Sequence, residues 1–307
     1  MYRPELFDSF FMGGFECSTH RRHDGRRLDL IESTGHGKFF AEDFRTMTGH
    51  GIRTVRDGLR WHLIEPTPGH FDWSSFLPML HASRAAGVQP IWDLCHYGWP
   101  DDLDFFSGAF VDRFARFSGE AARIQLERTG APGFYSPVNE ISFFSWAASR
   151  DLMFPYAHGR DQEIKRQLVR AAIAAADAIR SADPASRLLY PEPLIHNVPP
   201  RWRPWNTGPS ACQRASQFEA WEMIAGRAAP ELGGAERYLD VVGVNFYAAN
   251  QWEVPGGRKL HWDAGSDDPR WLPLHLLLEE VWERYRRPLV IAETSHYGIG
   301  RADWRFF

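Results

Sequence analysis

The chain has 307 residues and a formal net charge of −4. Its Lys and Arg residues are scattered, so it has no basic patch of the kind that binds nucleic acid or an anionic membrane. Its first residues contain no apolar signal core, and no run of about 18 apolar residues occurs. Composition therefore predicts a cytoplasmic protein without a nucleic-acid or membrane partner, and it does not indicate an oligomeric state.

Short runs rich in β-branched and aromatic residues alternate with helical stretches, and no linker divides them. The predicted strands are Phe10–Phe15, Arg53–Leu59, Gln89–Leu94, Gly133–Val138, Arg187–Tyr190, Val241–Tyr247 and Pro288–Ala292. The predicted helices are Ala41–His50, Ser75–Ala86, Ala109–Arg128, Gln162–Ser181, Cys212–Arg227 and Leu272–Arg286. A strand and a helix recur about every 40 residues, which is typical of a (β/α)8 barrel, and no Gly-x-Gly-x-x-Gly turn indicates a dinucleotide-binding sheet. We therefore predict an α/β fold, a (β/α)8 TIM barrel, as a single domain over residues 1–307.

Two glutamates each end an apolar, strand-like run. Glu140 ends Gly-Phe-Tyr-Ser-Pro-Val-Asn-Glu, and Glu293 ends Arg-Pro-Leu-Val-Ile-Ala-Glu. A carboxylate is costly to remove from water unless it is paired or has a function. In a barrel, the C-terminal ends of the strands form one mouth, where catalytic groups lie. Two carboxylates at such a mouth are the groups that glycoside hydrolysis uses, one as acid and the other as nucleophile or base.

Other polar and aromatic residues also fall at the predicted strand ends or just after them. They are Glu16, His20, Arg56, Trp61, Asp93, His96, Tyr97, Asn139, Glu192, His196, Asn245, Tyr247, Asn250, Trp252 and His296. No His-x-His or His-Glu-x-x-His spacing indicates a metal site, and none is assigned. Cys17, Cys95 and Cys212 include no zinc-type pair, so we expect three reduced cysteines.

Five segments of the chain are informative because of their order and spacing. The first is Val55-Arg-Asp-Gly-Leu-Arg-Trp-His-Leu-Ile-Glu-Pro-Thr-Pro-Gly, and the second is Gly87-Val-Gln-Pro-Ile-Trp-Asp-Leu-Cys-His-Tyr-Gly-Trp-Pro. The other three are Val138-Asn-Glu, Asn245-Phe-Tyr and Ile291-Ala-Glu. Together they resemble the family 1 glycosidases, the β-glucosidase group of the retaining barrel hydrolases. The resemblance covers most of the chain and implies hydrolysis of a β-linked glucoside, galactoside or related glycoside without a cofactor.

The resemblance also implies roles for individual residues. Glu140 matches the family's acid/base, and Glu293 matches its nucleophile. Arg56 and Tyr247 match the pair that holds the nucleophile, and their guanidinium and phenol groups suit the stabilisation of an ionised carboxylate. Asn139 matches the asparagine that hydrogen-bonds the sugar 2-hydroxyl.

The remaining candidates are substrate-binding residues. His96 matches a histidine that binds a sugar hydroxyl in the family. Glu16, Glu192 and Trp252 lie at strand ends, where either substrate contact or support of a neighbouring side chain is possible. The expected partner is thus a carbohydrate substrate.

The chain departs from the family pattern in three places. Ile141 stands where the Asn-Glu-Pro triplet has proline, and Glu293-Thr-Ser replaces the usual Glu-Asn-Gly. The first-strand segment Gly13-Gly-Phe-Glu-Cys-Ser-Thr-His lacks the family's glutamine pattern. The identity of the sugar therefore cannot be transferred from the family.

The end of the chain gives a further expectation. Only 14 residues follow Glu293, whereas a helix, an eighth strand and a last helix would need about 40 or more. We therefore expect a barrel with about seven recognisable strands, in which the C-terminal strand and helix are missing.

Two other functions remain open from the sequence. One is a non-catalytic carbohydrate-binding or scaffold barrel that has kept the carboxylates and lost turnover. The other is a transglycosidase that uses the same carboxylate pair. Activity on an aryl glycoside separates the first from a hydrolase, and capture of the glycosyl group by methanol separates the second.

Overall fold

The computed structural model describes residues 6–260 and 268–295. Its strands are β1 (Met12–Gly14), β2 (Thr54–Gly58), β3 (Gln89–Cys95), β4 (Phe134–Val138), β5 (Arg187–Pro193), β6 (His196–Val198), β7 (Val241–Asn245), β8 (Gln251–Glu253) and β9 (Leu289–Glu293). Its α-helices are α1 (Leu30–Ser33), α2 (His36–Gly49), α3 (Trp61–Ile64), α4 (Leu77–Ala86), α5 (Gly108–Thr129), α6 (Ile141–Ala148), α7 (Asp161–Ala182), α8 (Thr207–Ser216), α9 (Glu219–Ile224) and α10 (Leu274–Tyr285). His296 and the residues after it lie outside the described residues. The prediction of a missing C-terminal strand and helix concerns this end of the chain.

Seven parallel strands form a nearly closed barrel in the order β1-β2-β3-β4-β5-β7-β9. Short strands β6 and β8 pair with each other outside this barrel. Among the described residues, β1 and β9 each pair with one neighbour only, so the ring has one opening between them. The predicted (β/α)8 barrel, incomplete and with about seven strands, is confirmed.

The barrel strands away from the opening are largely buried because both their faces are covered, whereas β1 and β9 beside the opening are only partly buried. All five residues of β2 and all five residues of β7 are buried. The register of the strands places Arg56 on β2 opposite Gly14 on β1 and Ile91 on β3. On the other side of the barrel, Asn245 on β7 lies opposite Glu293 on β9, after an irregularity in the pairing.

The helices cover the barrel through apolar faces with helical spacing. On α5, Phe110, Phe114 and Phe117 are almost wholly buried, and their spacing places them on one face. This helix packs closely against α7, because a Cβ atom at Gly119 would lie only 3.2 Å from the Cβ atom of Ala178. Among the helices of the described ranges, none combines the length and the apolar character that a membrane crossing requires.

Several predicted boundaries differ from the observed ones. The predicted first strand is reduced to Met12–Gly14, and the strand before Tyr247 ends at Asn245, so Tyr247 lies in a loop. The helix predicted over Cys212–Arg227 is instead two helices, α8 and α9. The sequence analysis missed α6, β6 and β8, which all lie on the chain just after barrel strands or between them.

Candidate active site

A cavity of about 360 Å³ opens among the strand ends near the gap between β1 and β9. Its polar side chains come from β2, β3, β9 and the loops that follow β1, β3, β7 and β9. The polar side chains among its lining residues include Glu16, Arg56, Asp93, His96, Tyr247 and Glu293. Five of these six residues were predicted as site residues, and Asp93 was noted at a strand end without a role.

Glu293 is held by two donors. Nη1 of Arg56 donates to Oε1 of Glu293 at 2.6 Å, and the hydroxyl of Tyr247 donates to Oε2 at 2.7 Å. Burial and the negative charge of Glu293 raise the pKa of Tyr247, so its phenol stays protonated and remains a donor. Both oxygens of the carboxylate are thus engaged by groups that stabilise its ionised form.

Arg56 is fixed by a second carboxylate, that of Asp93. Nε and Nη2 of Arg56 donate to the two oxygens of Asp93 at 2.9 and 2.7 Å. Burial by itself raises the pKa of Asp93, but the Arg56 guanidinium and a hydrogen bond with His96 outweigh it and lower the pKa to about 2. The planar fork of an arginine suits this two-point contact, and it leaves Nη1 directed at Glu293.

The side chain of Asn139 has one orientation that satisfies its neighbours. Oδ1 of Asn139 accepts from Nη2 of Arg56 at 2.7 Å, because a guanidinium can only donate. Nδ2 of Asn139 then lies 3.0 Å from Nε2 of His96 and 3.0 Å from the hydroxyl oxygen of Tyr97. The amide therefore donates to both groups, and His96 carries its proton on Nδ1, which lies 3.0 Å from Oδ2 of Asp93.

Glu140 lies just after β4, at the N-terminus of α6, in a backbone conformation that is uncommon for glutamate. Its φ and ψ angles are 47° and 60°, in the left-handed region, and its backbone N–H donates to the carbonyl of Pro191 at 3.0 Å. The hydroxyl of Tyr97 donates to Oε2 of Glu140 at 2.5 Å. Tyr97, just after β3, also has a positive φ of 66°.

The two glutamates have opposite surroundings. Glu140 is 9% exposed. Burial and the negative charge of Glu293 raise the pKa of Glu140 to about 7, against hydrogen bonds from Tyr97 and Asn245 that favour its ionised form. Glu293, in contrast, faces a guanidinium. Such a pair, one buried carboxyl with a raised pKa and one hydrogen-bonded by an arginine and a tyrosine, suits acid–base and nucleophilic chemistry at one centre.

A continuous hydrogen-bonded chain connects the two glutamates. It runs from Glu140 to the Tyr97 hydroxyl, then to the amide of Asn139, then to Arg56 and finally to Glu293. Each link is 3.0 Å or shorter. The position of each carboxyl group is therefore coupled to the position of the other.

Glu192 lies behind Glu140 and is 2% exposed. Both its oxygens accept from the backbone N–H of Ser142, in the first turn of α6, at 3.3 and 3.0 Å. Burial raises the pKa of Glu192 to about 7, against these hydrogen bonds. Its contacts are with the helix that begins after Glu140.

Glu16 and Trp252 occupy different places. The Glu16 side chain is 48% exposed at the cavity, with Oε1 3.7 Å from Nε2 of His96. Trp252 lies on β8, opposite Asn197 on β6, and Nζ of Lys259 lies 4.5 Å from the centre of one of its rings. The structure thus brings Glu16 to the cavity and places Trp252 in the small outer sheet.

Cys17, Asp93 and His96 bring three potential metal-ligand atoms within 4.8 Å of one another, all buried. Sγ of Cys17 lies 3.2 Å from Nδ1 of His96 and 3.5 Å from Oδ2 of Asp93. Burial and the negative charge of Asp93 raise the pKa of Cys17, which favours the neutral thiol. Since the Arg56 guanidinium already compensates Asp93 and would repel a cation, the contacts fit hydrogen bonding, and the absence of a metal stays a prediction.

The sequence analysis gave no role to three residues that hold this site together. Asp93 fixes Arg56 and His96, Tyr97 contacts Glu140, and Asn245 contacts Asn139 at 3.4 Å. All three follow the rule that polar residues at the C-terminal ends of barrel strands belong to the site. What the sequence did not contain was the direction of each side chain.

Comparisons with known proteins give a match in structure alone. No family model matches the chain, and no curated protein matches it. The β-glycosidase from Pyrococcus horikoshii has a TM-score of 0.69 and 16% identity over 98% of this chain and 78% of that chain. The family 1 β-glucosidase from Thermotoga maritima has a TM-score of 0.60 and 17% identity over 84% and 67%. The AHE enzyme from Alicyclobacillus herbarius has a TM-score of 0.64 and 18% identity over 84% and 67%.

Low identity limits the meaning of these matches to the fold. The matched structures agree with the observed strand order. They also agree with the resemblance of the five sequence segments to the family 1 glycosidases. The chain therefore has the barrel fold of the family 1 β-glucosidases, with seven of the barrel strands among the residues described here.

Proposed function

We propose that the chain is a retaining β-glycosidase that cleaves the O-glycosidic bond of a β-glucoside or β-galactoside without a cofactor. The observation that carries this proposal is the contrast between two coupled carboxyl groups. Glu293 is held by Arg56 and Tyr247, and Glu140 has a pKa of about 7. One group is thus suited to attack and the other to proton transfer.

The first step forms a glycosyl-enzyme. Glu293 attacks the anomeric carbon with one carboxylate oxygen, and the bond from that carbon to the leaving-group oxygen breaks. Glu140 gives its proton to the leaving oxygen, so the alcohol departs neutral and Glu140 becomes a carboxylate. Arg56 and Tyr247 orient Glu293 for this attack.

The second step uses water. Esterification removes the negative charge of Glu293, which is one cause of the raised pKa of Glu140. Glu140 is then a better-stabilised carboxylate, and it removes a proton from the water that attacks the anomeric carbon. The ester bond breaks, Glu293 is released as a carboxylate and the configuration of the sugar is retained.

The polar residues around the two glutamates are proposed to bind the sugar. Asn139 and His96 are the proposed hydroxyl ligands, and Glu16 is exposed at the cavity where it can accept from a further hydroxyl. Glu192 is proposed to position the start of α6, and Trp252 to provide an aromatic face. The proposed partner is therefore a carbohydrate.

A panel of nitrophenyl β-glycosides tests the proposal. We expect release of nitrophenol with one or a few sugars, and loss of this activity in Glu293→Gln. Glu279→Gln is the matched control, because Glu279 is exposed on α10 and undergoes the same chemical change. Absence of turnover with every sugar of the panel contradicts the proposed activity.

The same assay separates the two alternatives left by the sequence. Binding of a sugar without turnover would favour a non-catalytic carbohydrate-binding barrel. Formation of the methyl glycoside in place of free sugar, when a little methanol is added, would favour a transglycosidase. In the first case the roles proposed for the carboxyl groups would fail, whereas in the second they would stay and only the acceptor of the glycosyl group would change.

A further inference from the structure

A second cavity, of about 420 Å³, lies away from the candidate active site, between β6, α8 and α10. We refer to it as the α8–α10 cavity. Its walls include Asn197 on β6, Ser210 and Arg214 on α8, and Glu280 and Arg284 on α10. Within the described part of the chain, no residue lines both this cavity and the one near Glu293. The volume is in the range of small-molecule sites, about 300 to 1,000 Å³.

The amide of Asn197 is the feature that points to a ligand. The residue is 5% exposed, and neither Nδ2 nor Oδ1 has a hydrogen-bond partner among the residues that the structure describes. An unpaired buried amide costs about 1–3 kcal/mol, so groups of this kind normally have a partner in the protein or in the solvent. Since Asn197 lines the cavity, a molecule in the cavity can supply the missing acceptor and the missing donor.

The charged groups of the wall are already compensated. Nη1 of Arg214 donates to Glu280 at 3.0 Å, and Nη2 of Arg214 also contacts this carboxylate. Nε of Arg284 donates to Glu222 at 2.7 Å. An anionic ligand would have to compete with these carboxylates, and a cationic ligand would have to compete with these guanidinium groups. The wall therefore favours a neutral ligand.

The other groups of the wall can recognise hydroxyls. Ser210 donates its proton to the carbonyl of Thr207 at 2.9 Å, which leaves its oxygen able to accept. A ligand beside Asn197 and Ser210 must both donate and accept, which is what hydroxyl groups do. The aromatic ring of Phe218 and the methyl groups of Ala211 and Ala215 provide apolar wall.

The segment between β6 and α8 adds exposed aromatic surface. It connects two wall residues, Pro199 and Thr207. Trp202 and Trp205 lie within it and are 63% and 76% exposed. Aromatic faces suit the apolar faces of sugar rings.

We propose that the α8–α10 cavity binds a neutral polyhydroxylated molecule of the size of a monosaccharide, with the amide of Asn197 as its central contact. This site is separate from the candidate active site. The proposal does not depend on glycosidase activity, and it stands or falls on binding alone.

The test is a titration of the labelled chain with D-glucose, observed by NMR at the side-chain amide of Asn197. This signal is identified as the one that Asn197→Leu removes. We expect saturable shifts of the signal in the parent chain and in Glu293→Gln, which is altered only in the other cavity. Ala211→Trp should lower the affinity by about tenfold or more, because the new side chain occupies the cavity from an exposed position of α8.

Charged relatives of glucose test the stated class of ligand. Glucose 6-phosphate and glucosamine should bind more weakly than glucose at the Asn197 signal. Stronger binding of either would overturn the assignment to a neutral ligand. Absence of any saturable shift with glucose, glycerol or inositol would overturn the site itself and assign water as the partner of the amide. Thermal melting of Ala211→Trp and Asn197→Leu shows whether each variant is folded.

Discussion

Replacement of Arg56 by methionine should reverse the contribution of Asp93 to the pH dependence of stability. In the parent chain, burial alone would raise the pKa of Asp93, but the Arg56 guanidinium lowers it to about 2 from an ordinary value of 3.8. A carboxyl with a lowered folded-state pKa stabilises the fold above its unfolded pKa, and this stabilisation is lost as the pH falls through the folded value. The contribution of Asp93 is therefore about 2–3 kcal/mol at neutral pH and disappears between about pH 4 and 2.

Without Arg56, the contribution of the ionised Asp93 to stability changes sign. Asp93 is 1% exposed, so its carboxylate would be buried without its cation, which costs about 3–5 kcal/mol. Its folded-state pKa would then lie above the unfolded one, and protonation would favour the folded state. We expect Arg56→Met to be markedly destabilised at pH 7 and to regain part of the loss at pH 5.

Urea unfolding at pH 5, 6 and 7 measures this effect. Arg56→Lys is the first control, because it keeps the charge and loses the planar fork, so stability should fall without a reversal of the pH slope. Arg123→Met is the second, because Arg123 is exposed and its contacts with Glu120 and Glu127 should be worth less than about 1 kcal/mol. Parallel pH–stability curves for Arg56→Met and the parent chain would refute the reasoning.

Four further outcomes follow from the site. Glu293→Ala should lose turnover and recover part of it with azide, which can occupy the vacated space; equal inactivity with azide contradicts a nucleophilic role. Glu140→Ala should spare substrates with good leaving groups, and an equal loss on all substrates contradicts the acid role. Glu293→Gln should lower the pKa of Glu140 from about 7, because it removes a negative charge; an unchanged carboxyl titration in carbon-13 NMR would leave burial as the whole cause. Tyr247→Phe should move the acidic limb of the rate profile to higher pH, and an unchanged limb would mean that its hydrogen bond with Glu293 has no effect on the reaction.

The sequence predicted the elements whose burial leaves a clear pattern. The runs around β3 and β4 are mostly apolar because both faces are covered, and the two long helices α5 and α7 were predicted within one residue at each end. Helix α6 was missed because Ile141-Ser-Phe-Phe-Ser-Trp-Ala-Ala is mostly apolar and shows no polar face. Strands β6 and β8 were missed because three residues are too few for a period of two to be visible.

Part of the candidate site could also be predicted from the sequence. The position of a residue at a strand end is readable from sequence, and the resemblance to the family 1 glycosidases implied that Arg56 and Tyr247 hold Glu293. The hydrogen bond between Tyr97 and Glu140 was not predictable, because it depends on a left-handed backbone at both residues. Similarly, nothing in the sequence indicates that Trp252 lies on a separate small sheet.

That pair of left-handed residues has a thermodynamic consequence. Each such conformation costs a non-glycine residue on the order of 1 kcal/mol or more, and it persists only where the surrounding structure determines it. Tyr97 and Glu140 lie just after two largely buried strands, β3 and β4, which hold them in this conformation. The conformational entropy of placing the Glu140 carboxyl is therefore lost during folding, and a substrate that binds later does not have to supply it.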